Sequence, residues 1–218
     1  GQDMHKRKMF RIKEVEDHIS KDIRQQEYRL RSRDVQELDE NIRGYEDLVM
    51  YNLEAGEAML TKDNDVDIFI DGNEKFRALM EDLRNAEQFI HIQYYIIKND
   101  VLFNQIKDIL IEKAAQGVEV RVLFDAMGCR SVRHSYWKWL NEKGVQTAEF
   151  FPAILRRFQL RINYRNHRKI VVIDNKVAYV GGFNVGKEYI DLDEKFGHWR
   201  DTHLRIHGSA VLGLQVRF

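Results

Sequence analysis

Cysteine is almost missing from this 218-residue chain, where Cys129 stands alone. An internal disulfide is excluded, and nothing demands an oxidising compartment. Cys129 follows the apolar run 120–124, where a small, partly buried residue is the plainest reading. Net charge is missing too, since 35 basic residues balance 35 acidic ones. No global positive excess points to nucleic acid, so any anion binding must come from local patches. No stretch approaches the ~18 apolar residues of a membrane span, and no signal peptide is visible. The chain opens on Gly1 rather than Met and stops at Phe218 within a run that reads as helix, so the expectation is that both ends are cuts.

What is present is a hydrophobic share of 44%, enough for a sizeable core. Residues 1–47 are dense in charge with the two signs interleaved, and Met9, Ile12, Val15, Ile19 and Ile23 recur at helical spacing. That stripe reads as a solvated helical connector or, because Lys6-Arg7-Lys8 opens it beside Met9 and Phe10, as a segment lying near a membrane. From residue 65 strands and helices alternate. A strand is expected over 66–71 and a helix from Gly72-Asn73 with Phe76, Leu79, Met80 and Leu83 on one face. An apolar run follows over 89–97, then a helix over 102–116 ended by Gly117, a strand over 118–124 and a helix over 132–143 closed by Gly144. This order predicts α/β layering with much of the sheet parallel. Further on, 170–173 and 177–180 are apolar runs joined through the turn signal Asp174-Asn175-Lys176, followed by a strand over 202–207 and a helix from Ser209.

The informative segment is 164–184. Positions two apart in a strand share a face, so His167 and Lys169 point the same way and Arg168 opposite. An imidazole with a pKa near ~6.5 can attack phosphorus as the neutral base or deliver a proton as the cation. An ammonium beside it can hold the phosphate's negative charge while a pentacoordinate state forms. Gly181 and Gly182, across the turn, leave room for backbone and phosphate to approach closely, and Asn184 could donate into the same space. Asp174 is an odd number of residues from both His167 and Lys169, so regular pleating turns it away, toward holding the turn by its bonds to backbone amides.

The whole constellation, H-x-K-x4-D-x6-G-G-x-N, resembles the HKD signature of the phospholipase D superfamily, with His167, Lys169 and Asp174 as its named members. The resemblance narrows to the first catalytic half of bacterial cardiolipin synthases through Ile92-Gln-Tyr-Tyr-Ile96, the lead-in Asn163-Tyr-Arg165-Asn-His-Arg-Lys169, the run 181–189, and Trp199-Arg-Asp-Thr-His-Leu-Arg-Ile206. It implies a phospholipase D-like mixed β-sheet flanked by helices over 61–218. Residues 1–60 are then a charged, mainly helical extension after a presumed membrane anchor. It implies a covalent phosphohistidine intermediate, no metal and no organic cofactor. The implied reaction moves a phosphatidyl group from one phosphatidylglycerol to another, giving cardiolipin and glycerol, at the cytoplasmic face of a bacterial cell membrane. Such enzymes carry two HKD motifs. This chain has one, so a second HKD domain of the same parent chain is the expected partner; the alternatives are a single-motif nuclease or phosphodiesterase of the same superfamily that pairs two copies as a homodimer, and an inactive fragment acting as an interaction module.

Other residues support the reading. Between Phe151 and Ile170 stand Arg156, Arg157, Arg161, Arg165, Arg168 and Lys169, with no acid, interleaved with apolar residues. An ordinary surface loop or a local nucleic-acid patch would look similar. Anionic membrane lipid would use both the charge and the apolar groups, and no nucleic acid is expected. In the resembled superfamily an acid on the strand after the glycine pair holds the remote nitrogen of the histidine, and Asp201 matches that place; an Arg200–Asp201 surface pair is the plainer alternative. Gln93, Tyr94 and Tyr95 end an apolar strand, where the tyrosines read as packing, with lining of the site as the alternative; Trp137 and Trp139 read as packing. His198 and His203 lie too irregularly for a familiar zinc spacing.

Overall fold

The structure, a computed structural model, describes residues 21–28, 42, 44–56, 58–150 and 166–218. The stripe from Met9, the triplet Lys6-Arg7-Lys8 and most of the basic segment before His167, Arg165 included, lie outside the described residues. The described residues fall into two compact units, one up to Asp63 and one from Asn64 onward. In the first, residues 21–28 are helical and α1 spans Glu46–Gly56. The Gln26 side-chain amide holds the Leu60 backbone from both sides, donating to its carbonyl at 2.9 Å and accepting its N–H at 2.8 Å.

The second unit is one seven-stranded mixed sheet in the order β1-β7-β6-β5-β2-β3-β4. The strands are β1 (Asp65–Asp71), β2 (Phe89–Tyr94), β3 (Glu119–Asp125), β4 (Gln146–Phe150), β5 (Ile170–Ile173), β6 (Val177–Gly181) and β7 (Arg200–His207). The helices are α2 (Gly72–Arg84), α3 (Val101–Ala115), α4 (His134–Glu142) and α5 (Ala210–Arg217). Parallel pairing is confined to β2-β3-β4, and the other four pairings are antiparallel. The sheet is thus less parallel than the alternation of elements predicts, because the β5–β6 hairpin docks antiparallel on β2. β4 escapes a hydrophobicity reading: its sequence QTAEF is polar, as suits an exposed edge.

Local chemistry starts and stops these elements. Asp71 caps α2 by accepting the Glu74 N–H at 3.0 Å, and Asp100 caps α3 through the Leu102 and Phe103 N–H groups. Gly117 and Gly144 follow α3 and α4 with φ of +93° and +89°, the left-handed conformation that stops a helix. The main core lies on one sheet face, where Phe76, Leu79 and Leu83 of α2, Leu102 and Ile106 of α3 and Trp137 of α4 meet Ile90, Ile92, Val120, Val171 and Tyr179. On the other face Val211 of α5 covers Ile170, Val172, Ala178 and Ile206. Several polar groups inside the main core are bonded to one another: Lys75 donates to the Tyr94 hydroxyl at 2.7 Å, and Asp82 accepts from Tyr179 and Arg205.

The β5–β6 turn anchors the sheet's centre. Asp174 and Asn175 have φ of +53° and +54°, and the Lys176 N–H reaches the Ile173 carbonyl at 2.9 Å, as in a type I′ hairpin. The Asp174 carboxylate accepts the N–H groups of Glu87, Gln88 and Phe89, each at 2.8 Å, which ties the turn to the start of β2. Removing it leaves three amides without an acceptor. We expect Asp174→Ala to lower unfolding free energy by about 3 kcal/mol. An unchanged midpoint and slope in urea denaturation of the 218-residue chain would show that the anchor carries no weight.

Candidate active site

Strand register brings the motif to one end of the sheet. Gln93 pairs with Ile170, Ile170 with Val180, Gly181 with His203 and Tyr94 with Phe124. The ends of β2, β3 and β6 therefore meet the starts of β5 and β7. His167 and Lys169 lie on the lead-in to β5 at this end.

Lys169 is 3% exposed, whereas His167 is exposed. The Lys169 ammonium lies 2.8 Å from Nδ1 and 3.1 Å from Nε2 of His167, and it donates to the His167 carbonyl at 2.8 Å. The Tyr95 ring packs against the imidazole with centroids 4.7 Å apart and lies 5.5 Å from the ammonium. Burial pushes the Lys169 amine down to about 8, against an upward pull from the Asp201 carboxylate. His167 is lowered by desolvation first and then by the Lys169 charge, while the Asp125 carboxylate pulls it upward. A lowered histidine is neutral at neutral pH and has one ring lone pair, which here faces the compact Lys169 cation and must turn from it to meet a phosphorus atom.

The glycines serve the chain's own packing. A Cβ on Gly181 would lie 2.5 Å from both the His203 Cα and the Thr202 carbonyl oxygen; one on Gly182 would lie 1.9 Å from the Asp201 carboxylate. The close approach they permit is to β7. Asn184 is buried and engaged at both ends, accepting the Ile96 N–H and donating to the Tyr189 hydroxyl, each at 3.0 Å. Asp201 sits against Gly182, accepts the Thr202 N–H at 2.7 Å and acts electrostatically on Lys169. Asp174 is at the far end of β5 from this group, with its carboxylate on the amides before β2. The structure thus gathers His167, Lys169, Asp201, Gly181 and Gly182, with Asp201 acting on Lys169 rather than on the expected ring nitrogen of His167; Asn184 is spent on Ile96 and Tyr189, and Asp174 is not brought to the group.

Tyr95, which the sequence offered as packing or as lining of the site, is in contact with the imidazole. Two other neighbours escaped sequence reasoning. Asp125, 1% exposed at the end of β3, accepts the N–H of Asn166, the residue before His167, at 3.2 Å. His203 is fully buried, with neither ring nitrogen bonded, and burial with the nearby Lys75 and Lys169 charges pushes it down to about 2, so it is neutral. Asp125 ends β3 at the sheet end where the motif lies and His203 stands inside β7 opposite Gly181; for Asp125 that strand-end place is the signal that could have found it. Among the described residues one group has a spacing that could hold a metal, Asp71, Asp191 and His198, whose ligand atoms lie within 4.8 Å; His198 Nδ1 is paired with Asp191 at 2.8 Å.

A cardiolipin synthase, phospholipase D-like domain family matches residues 79–198. The chain belongs to that family. Its relatives include a cardiolipin synthase of Oceanobacillus iheyensis, 53% identical over 176 residues, covering 80% of this chain and 36% of the relative. The major cardiolipin synthase ClsA of Bacillus subtilis is 50% identical over 172 residues, covering 79% and 36%. The chain therefore spans about a third of the length of these curated relatives. Two solved structures share the fold: a phosphatidylserine synthase of Haemophilus influenzae (TM-score 0.54, 16% identity, 70% of this chain and 35% of that one) and NucT from Helicobacter pylori (0.52, 14%, 69% and 89%). Among the described residues no helix is long and apolar enough to cross a membrane.

The electrostatics of the pair can be read directly. With ¹³C-labelled lysine, the Lys169 side chain should titrate with a midpoint near 8, against ~10.4 for exposed lysines. The His167 imidazole should titrate below ~6.5. A Lys169 midpoint indistinguishable from the surface lysines would refute the buried setting described here.

Proposed function

We propose that His167 and Lys169 form one half of a phosphatidyl-transfer site that makes cardiolipin from two molecules of phosphatidylglycerol. The observation that carries the reading is the neutral imidazole beside a buried ammonium, in a chain of the cardiolipin synthase family. An imidazole nitrogen attacks the phosphorus of the first phosphatidylglycerol. A P–N bond forms, the P–O bond to glycerol breaks, and a second imidazole protonates the departing glycerol oxygen. The hydroxyl of the second phosphatidylglycerol then gives its proton back to that imidazole and attacks the phosphohistidine. This re-forms a P–O bond and frees the ring. The Lys169 ammonium holds the charge on the phosphoryl oxygens throughout.

His167 takes one of the two imidazole roles, and the partner histidine belongs to a second HKD domain of the same parent chain. No metal or organic cofactor enters this scheme. Asp174 contributes as the anchor of the β5–β6 turn, Gly181 and Gly182 by letting β7 bring Asp201 close to Lys169, and Asn184 by fixing the loop after β6 to Ile96. Arg165 and its basic neighbours fit contact with anionic lipid at a bacterial membrane.

The deciding experiment uses the complete parent protein and labelled phosphatidylglycerol. His167→Ala should cut cardiolipin formation by more than about 10³-fold without loss of fold. A variant keeping more than a few per cent of the rate would end the assignment. Lys169→Met should be comparably severe, and Lys169→Arg should restore little, because a guanidinium is wider and forked. Equal rates with Arg and Lys would remove the compact phosphate-holding role.

A separate expectation concerns the 218-residue chain alone, which supplies one suitable imidazole and should make little or no cardiolipin at any protein concentration. Turnover by the monomeric chain would defeat the half-site reading. Turnover that rises with dimer would point to a symmetric site built from two copies of His167.

A further inference from the structure

Asp125 closes β3 at the motif end of the sheet and is almost fully buried. Its Oδ1 accepts the Met127 N–H at 2.9 Å and the Gly128 N–H at 3.1 Å, and its Oδ2 accepts the Asn166 N–H at 3.2 Å. Two of these bonds shape the loop after β3. The third crosses to the chain immediately before His167. The loop in turn abuts the other wall of the site: a Cβ on Gly128 would lie 1.9 Å from the Tyr95 carbonyl oxygen, and the Cys129 sulfur accepts the Ile97 N–H at 3.1 Å. Tyr95 is the residue whose ring packs on the imidazole. The two segments that flank His167, its own lead-in and the end of β2, thus meet through one buried carboxylate.

We propose that Asp125 is a positioning residue of the site, fixing the backbone at Asn166 so that the His167 imidazole stands between Lys169 and Tyr95, with a negative charge set against the positive one. For its catalytic consequence this rests on the reading of His167 as a reacting imidazole. The charged groups acting on His167 are Lys169, which disfavours the imidazolium, and Asp125, which favours it; Tyr95 supplies only a ring face, and Asp201 acts on Lys169. A phosphorylated or protonated imidazole is cationic. The Asp125 carboxylate stabilises that state, which a site with only the ammonium nearby would oppose.

The sign of the test follows. Asp125 raises the His167 pKa, so removing its charge lowers the midpoint further. The experiment is an imidazole NMR titration of the 218-residue chain, with the His167 signal assigned through His167→Gln. Asp125→Asn keeps an oxygen for Met127 and Gly128 and loses the charge. It should lower the His167 midpoint by several tenths of a pH unit at near-native near-UV circular dichroism. Asp125→Ala should also speed amide exchange at Met127, Gly128 and Asn166 at least tenfold. In the complete parent protein Asp125→Asn should lower kcat with KM little changed. An unmoved His167 midpoint in a folded Asp125→Asn chain overturns the proposal, whether or not Asp125→Ala folds. So does native protection of all three amides in a folded Asp125→Ala chain. If His167→Ala retained transfer while the titration moved as expected, the transfer reading would fail and the positioning role would stand.

Discussion

Everything at this end of the sheet depends on keeping an ammonium group out of water. Lys169 is buried on the lead-in to a strand whose own residues are all buried, and an isolated charge there is strongly disfavoured. What offsets that burial is local: the His167 carbonyl, the one His167 ring nitrogen that carries a lone pair, and the charge of Asp201. Each requires something of its neighbours. Asp201 reaches this position because Gly182 has no side chain where the carboxylate sits, and β7 approaches β6 because Gly181 has none beside His203. The imidazole is held there by the Tyr95 ring just after β2 and by Lys169, while Asp125 at the end of β3 holds the backbone of Asn166 before it. The glycine pair, the histidine and Asp201 can be understood as the surroundings that a buried ammonium demands.

The same arrangement explains why so much could be read from the sequence. His167, Lys169 and the glycines lie within 16 residues, on a strand and a hairpin whose alternation fixes which side chains share a face. Helices α2, α3 and α4 were legible through their apolar spacing and through Gly72-Asn73, Gly117 and Gly144 at their ends, whereas the capping Asp71 and Asp100 were not. Asp174 shows both the strength and the limit of that logic. Its odd spacing from His167 and its place in a turn predicted a bond to backbone amides, and the structure has three. They belong to the start of β2, some 85 residues earlier, and no local pattern names that partner.

Long-range contacts account for the rest. Asp125 and Asn166 are 41 residues apart, and Tyr95 and His167 further still, so their meeting depends on which strands are neighbours. The alternation of elements suggested a mostly parallel sheet, whereas β5 inserts antiparallel beside β2, and that single choice brings the end of β2 to the motif. β4 was invisible because an exposed edge strand can be polar throughout its short length. His203 is a different case. A histidine in a strand two residues after an acid looks ordinary, and only its complete burial beside Gly181 sets it apart.

The contrast in exposure between the two motif residues bears on what kind of reaction the site supports. Lys169 is inside and His167 is outside. A phosphohistidine formed on an exposed imidazole meets water at tens of molar, far above any membrane alcohol, and water at phosphorus gives hydrolysis. Transfer to a second lipid therefore requires that water be kept from the intermediate and the lipid hydroxyl be held in line. As proposed, the His167–Lys169 pair would make phosphorus reactive toward either acceptor and would not choose between them. Within the proposed reading, the choice of synthase over phospholipase rests with whatever surface closes over His167, and the pair alone would serve both.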